Sequence, residues 1–148
     1  QILGVYHKSL LKTFAKVSKN LDMEHMLIVH GDDGLDEITI TSETNIAELK
    51  DHKITEYKIS PKEFGINLAS FEEIYANSPQ ESLMMVNKAF EGEKSAVQDM
   101  IAMNSGAALY IARIVDSIND GVELAFELMN NGKAANKLAE YVMVANSI

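Results

Sequence analysis

The chain has no cysteine, no tryptophan and only two prolines among its 148 residues. Without cysteine it can form neither a disulfide nor a thiolate metal site. Positive charge is also scarce, since 13 Lys and Arg stand against 22 Asp and Glu for a net charge of −9. Nucleic acid is therefore a poor partner, because a phosphate backbone is bound through Lys and Arg. No apolar run approaches the ~18 to 20 residues of a membrane helix, and no basic stretch followed by an apolar one opens the chain as a signal peptide would. A cytoplasmic protein with no membrane contact is expected. There is no Gly-x-Ser-x-Gly elbow, Walker loop or Rossmann fingerprint, so hydrolase, P-loop and dinucleotide readings have no support.

What is present is enough apolar material, 47% of the residues, for one domain with a real core. Leu10, Phe14, Val17 and Leu21 recur at helical spacing and predict an amphipathic helix over roughly 5–20. Met26 to His30 reads as a buried strand, and the alternation of Ile38 and Ile40 with Thr39 and Thr41 as a half-buried one. Asn45 to Leu49 and Ile54 to Ile59 read as an antiparallel hairpin. Ser60 with Glu63, Ser70 with Glu73 and Ser78 with Glu81 are capping boxes that mark three helix starts, with Pro61 and Pro79 at the first helical position. Two longer helices follow, Ser95 to Val115 with small residues at its centre, and one capped by Ser117 that ends at Gly132. A last amphipathic helix, Ala134 to Asn146, carries Leu138, Tyr141, Val142 and Ala145 on one face. The pattern predicts an α/β fold with a mixed, mostly parallel sheet flanked by helices and an antiparallel hairpin.

The chemistry concentrates in His30-Gly31-Asp32-Asp33-Gly34-Leu35-Asp36-Glu37, where a strand runs into a two-glycine loop with four carboxylates. Such a loop repels itself unless a cation sits in it. Oxygen ligands suit Mg²⁺, which keeps several waters and bridges one or two carboxylates to substrate phosphates. A solvated acidic turn on Asp33-Gly34 is the competing reading. The spacing is not that of an EF-hand. His7, His25, His30 and His52 lie on separate elements without ligand spacing, which favours structural roles, with His30 at the rim of the loop as the one to watch. The methionines read as core filler, and Asn104, set among small apolar residues, as a helix–helix hydrogen-bonding amide.

This loop, with Ile38-Thr39-Ile40-Thr41 after it, resembles the metal-binding segment of the anthranilate phosphoribosyltransferase family. Gly4-Val5-Tyr6, Ala47-Glu48-Leu49, Ser60 to Gly65, Asn104 to Tyr110, Ser117, Gly121 and Gly132-Lys133-Ala134 fall in the family's order and spacing. Departures occur at Ser42-Glu43, where the family usually has glycine and proline, and at Arg113, where it usually has glycine. The resemblance implies that residues 1–148 are the C-terminal portion of a nucleoside phosphorylase/phosphoribosyltransferase catalytic domain. The family's N-terminal helical domain, glycine-rich diphosphate loop, Lys-His-Gly-Asn segment and anthranilate-facing arginine have no counterpart in these residues. It further implies Mg²⁺ at Asp36 and Glu37, with no catalytic residue of the family in this stretch. The implied reaction is transfer of the 5-phosphoribosyl group from phosphoribosyl diphosphate to anthranilate in tryptophan biosynthesis, by an enzyme that is a homodimer when complete. The chain alone is expected to be inactive. Within the same fold a pyrimidine nucleoside phosphorylase or a phosphoribosyltransferase-like protein is the alternative. From another class, a non-catalytic interaction or regulatory domain is the alternative.

Overall fold

A computed structural model of the chain describes residues 1–147. The sheet has four strands, β1 (Ile2–Gly4), β2 (His25–Gly31), β3 (Thr44–Lys50) and β4 (Lys53–Ile59), side by side in that order. Among the described residues five helices lie around it, α1 (Leu11–Asn20), α2 (Pro79–Phe90), α3 (Ala96–Ile111), α4 (Ile118–Asn130) and α5 (Lys133–Ala145). The mixed α/β class and the hairpin are as expected, but the balance within the sheet is not. Only β1 and β2 pair parallel, while β2–β3 and β3–β4 are antiparallel. The reason lies in the connections: β1 and β2 are joined through α1, whereas residues 32–43 join β2 to β3 without a crossover helix, and a parallel pair needs such a crossover.

Both faces of β2 are covered, which accounts for its unbroken apolar run. Leu27 and Val29 face a core shared with Ile46, Met103, Ala107 and Val122, and Met26 and Ile28 face Leu11, Ala15, Ala47 and Leu49. The contact between α1 and the sheet differs from the predicted stripe. Leu11, Ala15 and Ser18 are buried, while Phe14, Val17 and Leu21 are exposed. Small side chains let α1 sit close on the sheet, and the Ser18 hydroxyl donates to the Phe14 carbonyl at 2.8 Å.

Ile38 to Thr41 is not a strand. Ile38, Thr39 and Ile40 are all fully buried, and their backbone groups are taken by other partners: the Thr39 N–H donates to Thr44 Oγ1, and the Ile40 carbonyl accepts from the Ala69 N–H. The capping boxes at Ser60 and Ser70 open single 3-10 turns rather than longer helices, and Ser78, Ser95 and Ser117 cap α2, α3 and α4. The small-residue centre of α3 does press against a neighbour. A Cβ on Gly121 of α4 would lie 2.2 Å from the Gly106 carbonyl oxygen of α3. The apolar face of α5 is largely open, with Tyr141 and Val142 exposed.

Arg113 has φ +58°, the left-handed conformation that glycine adopts freely and that costs an L-residue roughly 1–2 kcal/mol. Its side chain reaches Glu24 and Asp51 only at 3.8 and 3.9 Å on the surface, where such pairs contribute little. Arg113→Gly is accordingly expected to stabilise the chain by about 1 kcal/mol, less the entropy of an added glycine. A rise in the urea midpoint checks it, and a fall would show that the surface pairs outweigh the backbone strain.

At the far end of the sheet from the acidic loop, Glu48 accepts hydrogen bonds from His25 Nε2 at 2.8 Å, Tyr110 Oη at 2.8 Å and Tyr57 Oη at 3.0 Å. Glu48→Ala would strand three donors at once, of which His25 is buried, and is expected to cost about 2 kcal/mol. Glu48→Gln, which keeps an acceptor, should cost less in the same denaturation assay. Equal losses would mean that the carboxylate fills space and no more.

Candidate cation site

The acidic loop leaves β2 at Gly31, at the carboxyl end of the strand, where α/β sheets place ligands. Three backbone bonds shape it. Gly31 N–H donates to the Leu35 carbonyl at 2.8 Å, Gly34 N–H to the Gly31 carbonyl at 3.0 Å, and Asp32 N–H to the Glu43 carbonyl at 2.8 Å. Gly34 has φ +98° with open space around it, so glycine is required there by the turn and not by crowding.

The four carboxylates divide into two pairs with different partners. Asp32 meets Lys58 Nζ at 2.6 Å and Asn45 Nδ2 at 2.6 Å, and Lys58 also reaches Glu43 at 2.8 Å. Lys58, with help from Asn45, holds the Asp32 carboxyl below its ordinary range. Asp33 accepts from Thr39 Oγ1 at 2.5 Å, from Thr41 Oγ1, and from the Leu35 N–H at 3.0 Å. Burial pulls Asp33 upward, but the hydroxyls of Thr39 and Thr41 together with the Leu35 N–H outweigh it, and the net shift is downward. These two residues build the loop.

Asp36 and Glu37 are exposed, and among the described residues neither carboxylate has an ion pair or a hydrogen-bonded partner. Glu37 is held above its ordinary range, first by partial desolvation of its carboxylate and then by the neighbouring charge of Asp36. Two adjacent carboxylates that repel each other and lack a counter-charge are the donor set a hard cation takes. Among the described residues no group of three or more His, Asp or Glu side chains could hold a metal ion. A cation at Asp36 and Glu37 would thus complete its shell with water or a ligand's phosphates, as Mg²⁺ does.

His30 does not enter the loop chemistry. Its Nδ1 lies 2.8 Å from the Val5 carbonyl, a structural bond between β2 and the segment after β1. His7 caps the turn at Ser9 and His25 pairs with Glu48, so these histidines too are structural. Asn104 departs from its expected role. Its amide reaches not another helix but the backbone of Ile38, accepting from the N–H at 3.1 Å and donating to the carbonyl at 2.8 Å. Gly4 also matters more than its sequence context suggests, since a Cβ there would lie 1.6 Å from the Asp36 carbonyl oxygen. Within Ser42-Glu43, Ser42 Oγ accepts from the Asp33 N–H and Glu43 shares Lys58, so both side chains take part in the loop's bonding.

The titration of the loop has opposite signs at its two ends. Asp32 and Asp33 are depressed, so the stability they contribute is present above their ordinary value of 3.8 and is lost as pH falls below it. Glu37 is raised, so its contribution is present below its ordinary value of 4.5 and is lost as pH rises through the folded value. In urea titrations without divalent cation, Asp33→Asn is therefore expected to flatten the fall in stability below pH ~4, and Glu37→Gln to raise stability at neutral pH. Unchanged profiles in both variants would contradict this division of the loop.

A family profile described as "Glycosyl transferase family, a/b domain" matches residues 1–135. The anthranilate phosphoribosyltransferase of Clostridium beijerinckii is 44% identical over 140 residues, covering 95% of this chain and 41% of that protein. That of Acetivibrio thermocellus is 39% identical over 147 residues, covering 99% of this chain and 43% of its own length. The chain thus spans about two fifths of the curated relatives it matches. Among solved structures, the anthranilate phosphoribosyltransferase of Thermus thermophilus superposes with a TM-score of 0.84 at 29% identity, over 95% of this chain and 41% of that one. The Saccharomyces cerevisiae enzyme, solved in complex with PRPP and Mg, has the same fold, with a TM-score of 0.88 at 22% identity over 99% of this chain and 43% of that one. With the profile running from the first strand of the sheet into α5, the chain belongs to the glycosyl transferase family, of which it carries the a/b domain fold.

Proposed function

We propose that residues 1–148 are the C-terminal portion of the catalytic domain of an anthranilate phosphoribosyltransferase. The complete enzyme moves the 5-phosphoribosyl group from phosphoribosyl diphosphate to anthranilate, releasing diphosphate, as a cytoplasmic homodimer in tryptophan biosynthesis. The observation that carries this reading is the pair Asp36 and Glu37, exposed, adjacent and, among the described residues, without a counter-charge at the carboxyl end of β2. The names of the relatives support the choice of substrates. The magnesium and PRPP in the yeast enzyme's complex support the choice of ion and donor.

Asp36 and Glu37 would hold the Mg²⁺, which when bound neutralises charge on the leaving diphosphate. Departure of diphosphate from the ribose passes through an oxocarbenium-like state, so the protein's task is to place groups and to stabilise charge rather than to supply a nucleophile. Here the loop performs the placing. Asp32 with Lys58, and Asp33 with Thr39 and Thr41, absorb two of the four negative charges into internal bonds and leave Asp36 and Glu37 free for the ligand.

The test is transfer by the complete protein, followed as the loss of anthranilate fluorescence with phosphoribosyl diphosphate and Mg²⁺ present. Transfer that needs all three components is the expected result, with none from the 148-residue chain alone. Full turnover by the chain alone, or none by the complete protein, would overturn the reading.

A further inference from the structure

Ile38 follows Glu37 directly, and what holds Ile38 decides where Glu37 can point. The Asn104 side chain, half-buried on α3, accepts from the Ile38 N–H at 3.1 Å and donates to the Ile38 carbonyl at 2.8 Å. A third bond, from Nδ2 to the Met100 carbonyl at 3.0 Å, fastens the amide to its own helix. Donor and acceptor must face the way they do, because the Ile38 N–H needs the amide oxygen and the Ile38 carbonyl needs the NH₂. One primary amide thus satisfies both backbone polar groups of one buried residue across 66 residues of sequence. On the other side of Glu37, the Asp36 carbonyl rests against Gly4. Glu37 therefore lies between two backbone fixings.

Resting on the cation-site reading above, we propose that Asn104 is a positioning residue for that site. It fixes the loop backbone beside Glu37 and so the way that carboxylate is offered to a cation, and it touches neither ion nor substrate. Residues that orient metal ligands from behind typically change metal affinity by roughly 10- to 100-fold when replaced. Asn104→Leu keeps the size of the side chain and removes both bonds to Ile38.

The experiment titrates Mn²⁺ alone, as a magnetic probe in place of Mg²⁺, into the complete protein and follows the loss of the free-ion signal. Hydrogen exchange at the Ile38 amide is read in the same samples. Asn104→Leu is expected to weaken Mn²⁺ binding by about 10-fold and to release the Ile38 amide to exchange. Glu48→Gln, at the opposite end of the sheet, should leave both unchanged. In the complete protein the same Asn104 variant should raise the Mg²⁺ concentration for half-maximal transfer while kcat at saturating Mg²⁺ stays near that of the parent. If leucine prevents folding, Asn104→Ser carries the same measurements. A folded Asn104 variant that binds Mn²⁺ as the parent does overturns the proposal, as does a loss no larger than that in Glu48→Gln. Asp36→Asn with Glu37→Gln, run alongside, separates the two failures: if it also binds Mn²⁺ normally the cation site itself is wrong, and if only it loses binding, the role of Asn104 is wrong.

Discussion

Asp36→Asn combined with Glu37→Gln in the complete protein is expected to lower phosphoribosyl transfer by about 100-fold or more when Mg²⁺ is limiting. Removing one preorganised charge-stabilising group from an active site costs roughly 100- to 1000-fold, and this change removes both carboxylates of the pair. The two substitutions are close to isosteric, so they subtract charge with little change of shape. The loop should survive them, since its geometry rests on Asp32 with Lys58, Asp33 with Thr39 and Thr41, and Ile38 with Asn104, none of which is altered. Stability should hold or rise slightly, because Glu37 and Asp36 repel each other in the parent. Part of the lost activity should return at high Mg²⁺. A stable double variant with parental activity at limiting Mg²⁺ would show that the pair is only a solvated acidic turn.

The second large effect is expected at Gly4. A methyl group there would stand 1.6 Å from the Asp36 carbonyl oxygen and 2.6 Å from its carbonyl carbon, both backbone atoms that no side-chain rotation can move aside. Either the Asp36 segment lifts away from the sheet or β1 slips against β2, where Gly4 pairs with Val29. Overpacking of this kind costs typically 1–3 kcal/mol and occasionally more, and contact between two backbones puts Gly4→Ala at the upper end, about 3 kcal/mol. Because the atom displaced belongs to Asp36, the variant should also lose transfer activity in the complete protein even at temperatures where it remains folded. Chemical denaturation together with the fluorescence assay separates the two effects. A variant of parental stability and activity would mean that the contact relaxes at no cost.

Much of this is legible in the residues because local rules and tertiary structure agree there. The β3–β4 hairpin, the serine caps of α2, α3 and α4 and the left-handed glycine at 132 all follow from short-range chemistry. The close meeting of α3 and α4 at Gly106 and Gly121 follows from the run of small residues. The differences arise where an alternation or a stripe says nothing of what covers it. Ile38 to Thr41 alternates like a half-buried strand, yet the segment is enclosed on both sides and its backbone groups are bonded to Asn104, Thr44 and Ala69. In α1 the small Ala15 and Ser18 join Leu11 on the inner face while Phe14, Val17 and Leu21 lie outside, because small side chains let the helix seat closely on the sheet.

For the site, the acidic loop can be read directly, since two pairs of acids at the end of a strand call for an explanation from charge, while the choice of Asp36 and Glu37 within it comes from the family resemblance. The division of labour among the four cannot. It depends on Lys58 from β4 and on Thr39 and Thr41 folding back over Asp33. The support from Gly4 and Asn104 comes from residues 32 and 66 positions away from those they contact, and no short-range pattern encodes that. The one available signal is that an amide among apolar neighbours must find partners.

We propose that Asp36 and Glu37 are the chain's cation ligands in phosphoribosyl transfer. Crystals of the complete protein grown with phosphoribosyl diphosphate and Mg²⁺ test it most directly. The expected result is a Mg²⁺ with a carboxylate oxygen of Asp36 or Glu37 at roughly 2.1 Å and diphosphate oxygens in its shell, while Asp32 remains on Lys58. A Mg²⁺ held by other residues, with Asp36 and Glu37 facing bulk solvent, would contradict it.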